Sequence, residues 1–172
     1  MQKCEVLRRK QNTSLLAVYV NSRHTNRFIV GSVQAADDEC AILSLYDSSG
    51  KPDGIGLILL DSVYRIEKDT IYLKKFGIDF THGARFLICD NTWNYFLNMA
   101  TVQQRLLTIT MLGGKKIRGF IEKFDDDKMS LNILFPKKAS KRLVHRMHNA
   151  WICFDSQDER EIENRHGGKV EK

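Results

Sequence analysis

Apolar and polar positions alternate most cleanly in the second half of the chain. Leu107, Ile109 and Met111 alternate with Thr108 and Thr110, the period-two pattern of a strand with one buried face. Gly113-Gly114 follows as a turn, because glycine accepts positive φ. Lys116 to Phe124 reads as a second strand. Asp125-Asp126-Asp127 reads as a turn whose short polar side chains bond to nearby backbone. Met129, Leu131 and Ile133 line one face of a third strand, and Lys128, Ser130 and Asn132 the other. Pro136 interrupts, and Leu143–Met147 and Trp151–Phe154 then supply two further short strands. Five short strands with tight turns predict a small, strongly bent antiparallel barrel. Ahead of them the period changes: Trp93, Phe96, Leu97 and Ala100 fall at i, i+3, i+4 and i+7, one face of a helix over about residues 90–104. Asp90, Asn91 and Thr92 are its N-cap candidates, and its aromatic face reads as core packing.

The first half carries the same order of features. Cys4–Lys10 reads as a short helix. Strands follow at Leu16–Val20, Phe28–Ala35, Ala41–Leu45, Gly56–Leu60 and Val63–Ile66, with a long turn at Gly50, Pro52 and Gly54. A period of 88 residues relates the halves: Ile29 matches Ile117, Gly31 matches Gly119, Asp37 and Asp38 match Asp125 and Asp126, and Leu43 matches Leu131. The frame runs without a gap from Ile29–Glu67 to Ile117–Asp155, and pairs Val63 with Trp151 and Ile66 with Phe154. The organisation expected is a first domain over 1–76, a second over 77–155, and a charged flexible tail over 156–172.

Charge adds a candidate surface. The 172 residues carry a net charge of +6, with 42% hydrophobic and 28% charged positions, values that suit a soluble globular protein. No apolar run reaches the roughly 18 residues of a membrane span, and the start reads as no signal peptide. Cys4, Cys40, Cys89 and Cys153 lie far apart, form no CxxC pair, and read as buried, reduced thiols. A reducing compartment, the cytoplasm, is the default. Charge alternates by sector: +5 over 1–30, −5 over 31–70, +2 over 71–110, +6 over 111–154 and −2 over 155–172. The basic run is Lys137, Lys138, Lys141, Arg142 and Arg146, with His145 and His148 and no acid between them. Strand alternation places Lys141, Leu143, His145 and Met147 on one side and Arg142, Val144, Arg146 and His148 on the other. Arg8, Arg9 and Lys10 could add phosphate contacts.

Catalytic chemistry is not signalled. The chain has no Ser-His-Asp signature, P-loop or dinucleotide glycine motif. His145-x-x-His148 with Cys153 is the one metal-like spacing, and residues three apart on a strand face opposite sides. The expectation is a non-enzyme with no cofactor and no metal.

The segments "LTITMLGGKKIRGFIEKFDDDKMSLNI" and "HNAWICF" resemble the Sm-like (Lsm) superfamily, which includes the bacterial RNA chaperone Hfq. The segments "RFIVGSVQAADDECAILSL" and "LLDSVYRI" look like a diverged second copy. The resemblance implies a mainly β protein with short helices: two tandem five-stranded bent antiparallel barrels, each preceded by a helix. It implies single-stranded RNA as partner, bound through the turn after the second strand, Asp125–Met129, and the turn before the fifth, His148-Asn149. His148 could stack on a base and Asn149 read its edge. The phosphate contacts would come from Lys137, Lys138, Lys141, Arg142 and Arg146. In the gap-free frame Leu60-Asp61 holds the place of His148-Asn149 in the first copy. The family also pairs edge strands of neighbours into rings, which here implies a homo-oligomer, a pseudo-hexameric ring of three chains. The alternative is a protein-interaction or assembly module that kept the fold and lost RNA binding.

Overall fold

The computed structural model of the protein describes Glu5, Leu7 and residues 14–20, 27–78, 91–133 and 140–166. Its first half contributes β1 (Leu16–Tyr19), β2 (Ile29–Ala36), β3 (Cys40–Tyr46), β4 (Pro52–Leu59), the 3-10 turn η1 (Leu60–Ser62), β5 (Arg65–Lys68) and the short helix α1 (Ile71–Lys74). The second half contributes α2 (Thr92–Val102), β6 (Leu107–Met111), β7 (Lys116–Phe124), β8 (Lys128–Ile133), β9 (Ser140–His145), η2 (Arg146–His148), β10 (Asn149–Phe154) and α3 (Gln157–His166). All ten strands belong to one antiparallel sheet of order β5-β1-β2-β3-β4-β10-β6-β7-β8-β9. The sheet is open, with β5 and β9 at its edges, so the strands make one continuous hydrogen-bonded surface and not two closed barrels. Each set of five has the same internal order, with its last strand beside its first. The two sets join where β10 pairs with β4, Ile152 opposite Leu57 and Trp151 opposite Ile58.

The repeat is visible in the register. Gly31 lies opposite Leu45 and Gly119 opposite Ile133, and the ladder is broken by a bulge between Val33 and Ala35 and again between Ile121 and Lys123. A Cβ on Gly31 would stand 2.8 Å from the Ser44 carbonyl oxygen, and one on Gly119 2.6 Å from that of Asn132. Both glycines therefore let two backbones approach closely. The gap-free frame fails further on. Cys40 pairs with Leu59 but Lys128 pairs with His145, so the frame drops from 88 to 86 through the fourth and fifth strands. The cause is a shorter stretch of chain between equivalent paired positions: eight residues separate Asn132 from its partner Lys141, whereas ten separate Ser44 from Ile55. The structural partner of Trp151 is thus Arg65 and not Val63, that of Ile152 is Ile66, and the counterpart of His148-Asn149 is Ser62-Val63 and not Leu60-Asp61.

Burial explains which strands alternate. On β3, Cys40 and Ile42 pack with the Trp93, Phe96, Leu97 and Ala100 face of α2 and with Leu107, Ile109, Leu131, Ile152 and Phe154. Ala41, Leu43 and Leu45 of the same strand pack into a second core with Leu7, Leu16, Val18, Val33 and Ile58. A strand buried on both faces reads as a continuous apolar run. A third cluster sets Leu73 of α1 over Leu15, Ala17, Tyr19 and Val30. The expected helix at 90–104 forms over Thr92–Val102, capped by the Asn91 side chain accepting from the Asn94 N–H at 2.9 Å. The expected helix at Cys4–Lys10, with Arg8, Arg9 and Lys10, lies outside the described residues apart from exposed Glu5 and buried Leu7.

The C-terminal segment is a correction. Gln157–His166 is helical where charge alone suggests a frayed tail; residues 167–172 lie outside the described residues. Buried Glu159 accepts from the Ser156 N–H at 3.0 Å, and Asp53 of β4 accepts from the Gln157 N–H at 2.7 Å. Glu163 accepts from the Leu106 N–H at 2.8 Å. Carboxylates that satisfy backbone donors fasten the helix. Cys40 and Cys153 are free and buried; burial pushes the Cys40 thiol up to about 12 and raises that of Cys153, which also faces Glu159. Cys4 and Cys89 lie outside the described residues. Among the described residues no helix is long and apolar enough to cross a membrane.

Candidate nucleic-acid interface

The basic run does not act as one patch. Lys137 and Lys138 lie outside the described residues. Lys141 is exposed on β9 and pairs with Glu122, whose carboxyl that contact holds below its ordinary pKa. Arg142, on the same edge strand, is exposed and has no ion-pair partner among the described residues. The alternation holds: Val144 is buried while Leu143 is 59% exposed. Arg146 turns inward at η2. It pairs with Glu39 across the two halves, donates to the Asp126 carbonyl at 3.3 Å and lies 5.5 Å from the Trp93 ring centroid. Burial opposes its charge, but Glu39 and the neighbouring acid Asp37 raise its pKa above the ordinary value. His148 is exposed, while Asn149 is 1% exposed and neither end of its amide is hydrogen-bonded among the described residues. The two neighbours therefore face different surroundings.

The aspartate turns build the loop end. Asp37 accepts from the Glu39 and Cys40 N–H groups at 2.9 and 2.7 Å, and Asp125 accepts from those of Asp127 and Lys128, each at 3.0 Å. The same turn thus closes both copies. Asp37 also accepts from the Thr92 N–H at 2.7 Å, tying the first half to the start of α2. Trp93 donates through Nε1 to the Asp125 carbonyl at 2.8 Å. Between these turns and η2 lies a cleft of about 660 Å³ lined by Glu39, Asp61, Asp125, Asp126 and Asp127 against Lys128, His145 and Arg146. Carboxylates outnumber cations there, so its field repels phosphate.

These turns carry a pH signature. Partial burial alone would raise the Asp37 pKa, but its three backbone donors outweigh that and hold it below 3.8. A depressed carboxylate contributes stability that is complete above the unfolded-state value and is lost as pH falls through the folded one. The urea midpoint should therefore fall on acidification below pH 3.8. Asp37→Asn should lower the neutral-pH midpoint and flatten that fall. Superimposable acid limbs in the two proteins would remove Asp37 from the account.

A second cleft, of about 600 Å³, follows the seam between the halves at the opposite ends of the strands. Its lining includes Arg27, Phe28, Tyr46 and Tyr72 of the first half, and Thr110, the Gly113-Gly114 turn, Lys116 and Trp151 of the second. Phe28, Tyr46 and Trp151 are half-buried and Tyr72 is 39% exposed, so ring surface is presented on both sides. Two carboxylates line it, and both are engaged by backbone. Asp47 accepts from the N–H groups of Ser49 and Lys51 at 2.8 and 3.0 Å, and Asp53 caps α3. Arg27 and Lys116 are exposed and have no ion-pair partner among the described residues. The Thr110 hydroxyl is buried with no hydrogen-bond partner among the described residues. Rings and exposed cations are what a single-stranded nucleic acid needs: stacking for bases and charge for phosphate.

This cleft is not legible in the sequence because its residues come from strands of both halves and form no run. The local sign available was the pair Gly113-Gly114 beside Lys115-Lys116. A scan against protein-family models matches none of them, and no curated protein sequence matches the chain.

Proposed function

We propose that the protein is a duplicated Sm-like module that binds single-stranded RNA without catalysis, and that the RNA lies in the cleft along the seam. The repeated order, last strand beside first, together with the glycine and aspartate pairs at equivalent registers, supports the Sm-like reading. The observation that carries the RNA reading is Arg27 and Lys116, both exposed and without an ion-pair partner among the described residues, lining one cleft with Trp151 and Tyr46.

The test is fluorescence anisotropy of a labelled single-stranded RNA over a series of salt concentrations. Arg27→Glu/Lys116→Glu should weaken binding at least tenfold and reduce the slope of log affinity against log salt by about 0.7 per lost phosphate contact. Trp151→Ala should cost the stacking of one base, about 1–3 kcal/mol. Loss of binding in Lys141→Glu/Arg142→Glu alone would move the site to β9. The second reading, an assembly module without RNA binding, is favoured by the acid-rich loop cleft. Wild-type protein that binds no RNA at low salt, but retains a co-purifying protein lost on Asp126→Lys, would establish it.

A further inference from the structure

The seam cleft holds a carboxylate that phosphate binding does not explain. Asp47 and Asp53 both line it, and both repel a polyanion. Asp53 has a structural task, since it accepts from the Gln157 N–H at 2.7 Å and caps α3. Asp47 closes its own turn through Oδ1 alone. That oxygen accepts from the Ser49 N–H at 2.8 Å, the Ser49 hydroxyl at 2.7 Å and the Lys51 N–H at 3.0 Å. An asparagine would close the turn as well. Asp37 and Asp125, at the other end of the strands, use both oxygens: Oδ2 of Asp37 accepts from the Thr92 N–H, and Oδ2 of Asp125 lies 3.8 Å from Lys128 Nζ. Oδ2 of Asp47 has no hydrogen-bond or ion-pair partner among the described residues. It is the oxygen that Asp47 can offer to the cleft.

The acceptor is held in place. The Asp47 N–H donates to the Lys51 carbonyl at 2.9 Å and the Gly50 N–H to the Asp47 carbonyl at 3.1 Å, so the loop is braced from both sides. The Ser49 hydroxyl and the Lys51 N–H hold the carboxyl below its ordinary pKa, and it is charged at neutral pH. Tyr46, the preceding residue, lines the same cleft with a half-buried ring. Stacking surface and acceptor thus come from one braced segment, and reading an unpaired base needs both. We propose that Asp47 is the base-reading residue of the cleft and that it selects guanine, Oδ2 accepting from the N1–H and the N2 amino group; this rests on the RNA reading above. Guanine sets those two donors side by side. Adenine and cytosine each offer one amino group beside a ring nitrogen whose lone pair repels a carboxylate. Uracil offers one N3–H between two carbonyl oxygens that repel it. Because the acceptor is ionised, the bond to guanine is of the stronger, charge-assisted kind.

Fluorescence anisotropy tests this with the full chain and uridine oligonucleotides that carry one guanosine, one inosine or neither. The wild type should bind the guanosine form about tenfold more tightly than the all-uridine form. Inosine, which lacks the N2 amino group, should fall between them, a comparison made on unaltered protein. Asp47→Asn keeps the turn acceptor and replaces Oδ2 by an NH2 donor. Its preference for guanosine should vanish, while all-uridine binding tightens because a negative charge has left the cleft. Asp53→Asn should keep the preference. Equal binding of the guanosine and uridine forms by the wild type overturns the guanine assignment and leaves the RNA reading standing. A preference that survives Asp47→Asn, or is lost in Asp53→Asn instead, overturns the choice of residue. Failure of every oligonucleotide to bind at low salt overturns the RNA reading itself, and this inference with it.

Discussion

Trp93→Ala is expected to destabilise the protein by about 3–5 kcal/mol, the range for a fully buried tryptophan truncated to alanine. The indole is 1% exposed and packs where α2 meets both halves of the sheet. Its Nε1 donates to the Asp125 carbonyl at 2.8 Å, and Arg146 sits above its ring. Removing it leaves a cavity, an unpaired carbonyl and an inward-turned guanidinium that has lost one wall. Urea denaturation followed by circular dichroism measures the change. Exposed Tyr95 on the same helix supplies the control: Tyr95→Ala should move the midpoint far less. Equal shifts for the two would mean that α2 does not join the cores as described.

Gly54→Ala is the second large effect. Gly54 has φ +87°, and a Cβ there would stand 2.4 Å from the Phe154 carbonyl oxygen and 2.6 Å from the Ser156 nitrogen. These are backbone atoms, so no side chain can turn aside. Left-handed backbone in a non-glycine residue costs about 1–3 kcal/mol, and forced displacement of a packed neighbour adds about 1–3 kcal/mol more. Gly77→Ala separates the two contributions. Gly77 has φ +58° but nothing within 4 Å of a built Cβ, so it carries the backbone cost alone. Thermal melts should rank wild type above Gly77→Ala and Gly77→Ala above Gly54→Ala. The gap between the variants measures how closely β4 is held against the turn at Asp155. If Gly54→Ala melts with Gly77→Ala, that contact is loose.

Much of the second half is legible from periodicity because its strands keep one polar face. Lys128 and Asn132 are exposed while Met129 and Leu131 are buried, so alternation marks β8 directly. The first half is harder, since Leu57, Ile58, Leu59 and Leu60 are all buried and alternation vanishes. Only the matching glycines and aspartates placed it. Charged composition hides helix α3, yet Ser156-Gln157-Asp158-Glu159 spells a capping box that marks a helix start. The candidate site was less legible than the fold. Lys141 and Arg146 read as free cations because Glu122 and Glu39, which pair with them, lie 19 and 107 residues away in the chain. Net charge in a window counts such residues as available. Only the folded pairing shows that Arg142 and His148 remain open while Arg146 does not.

The β4–β10 ladder joins residues about 95 positions apart, so Leu57 meets Ile152 only after the intervening residues have been made. At about 5–20 residues per second on a ribosome, β4 waits for several seconds with both faces apolar and one rim bare. Nascent chains in that interval are the form most exposed to mispairing with one another. Fast translation of the codons between the two strands, or a chaperone that shields Ile55–Leu60 until β10 emerges, would shorten or cover that window.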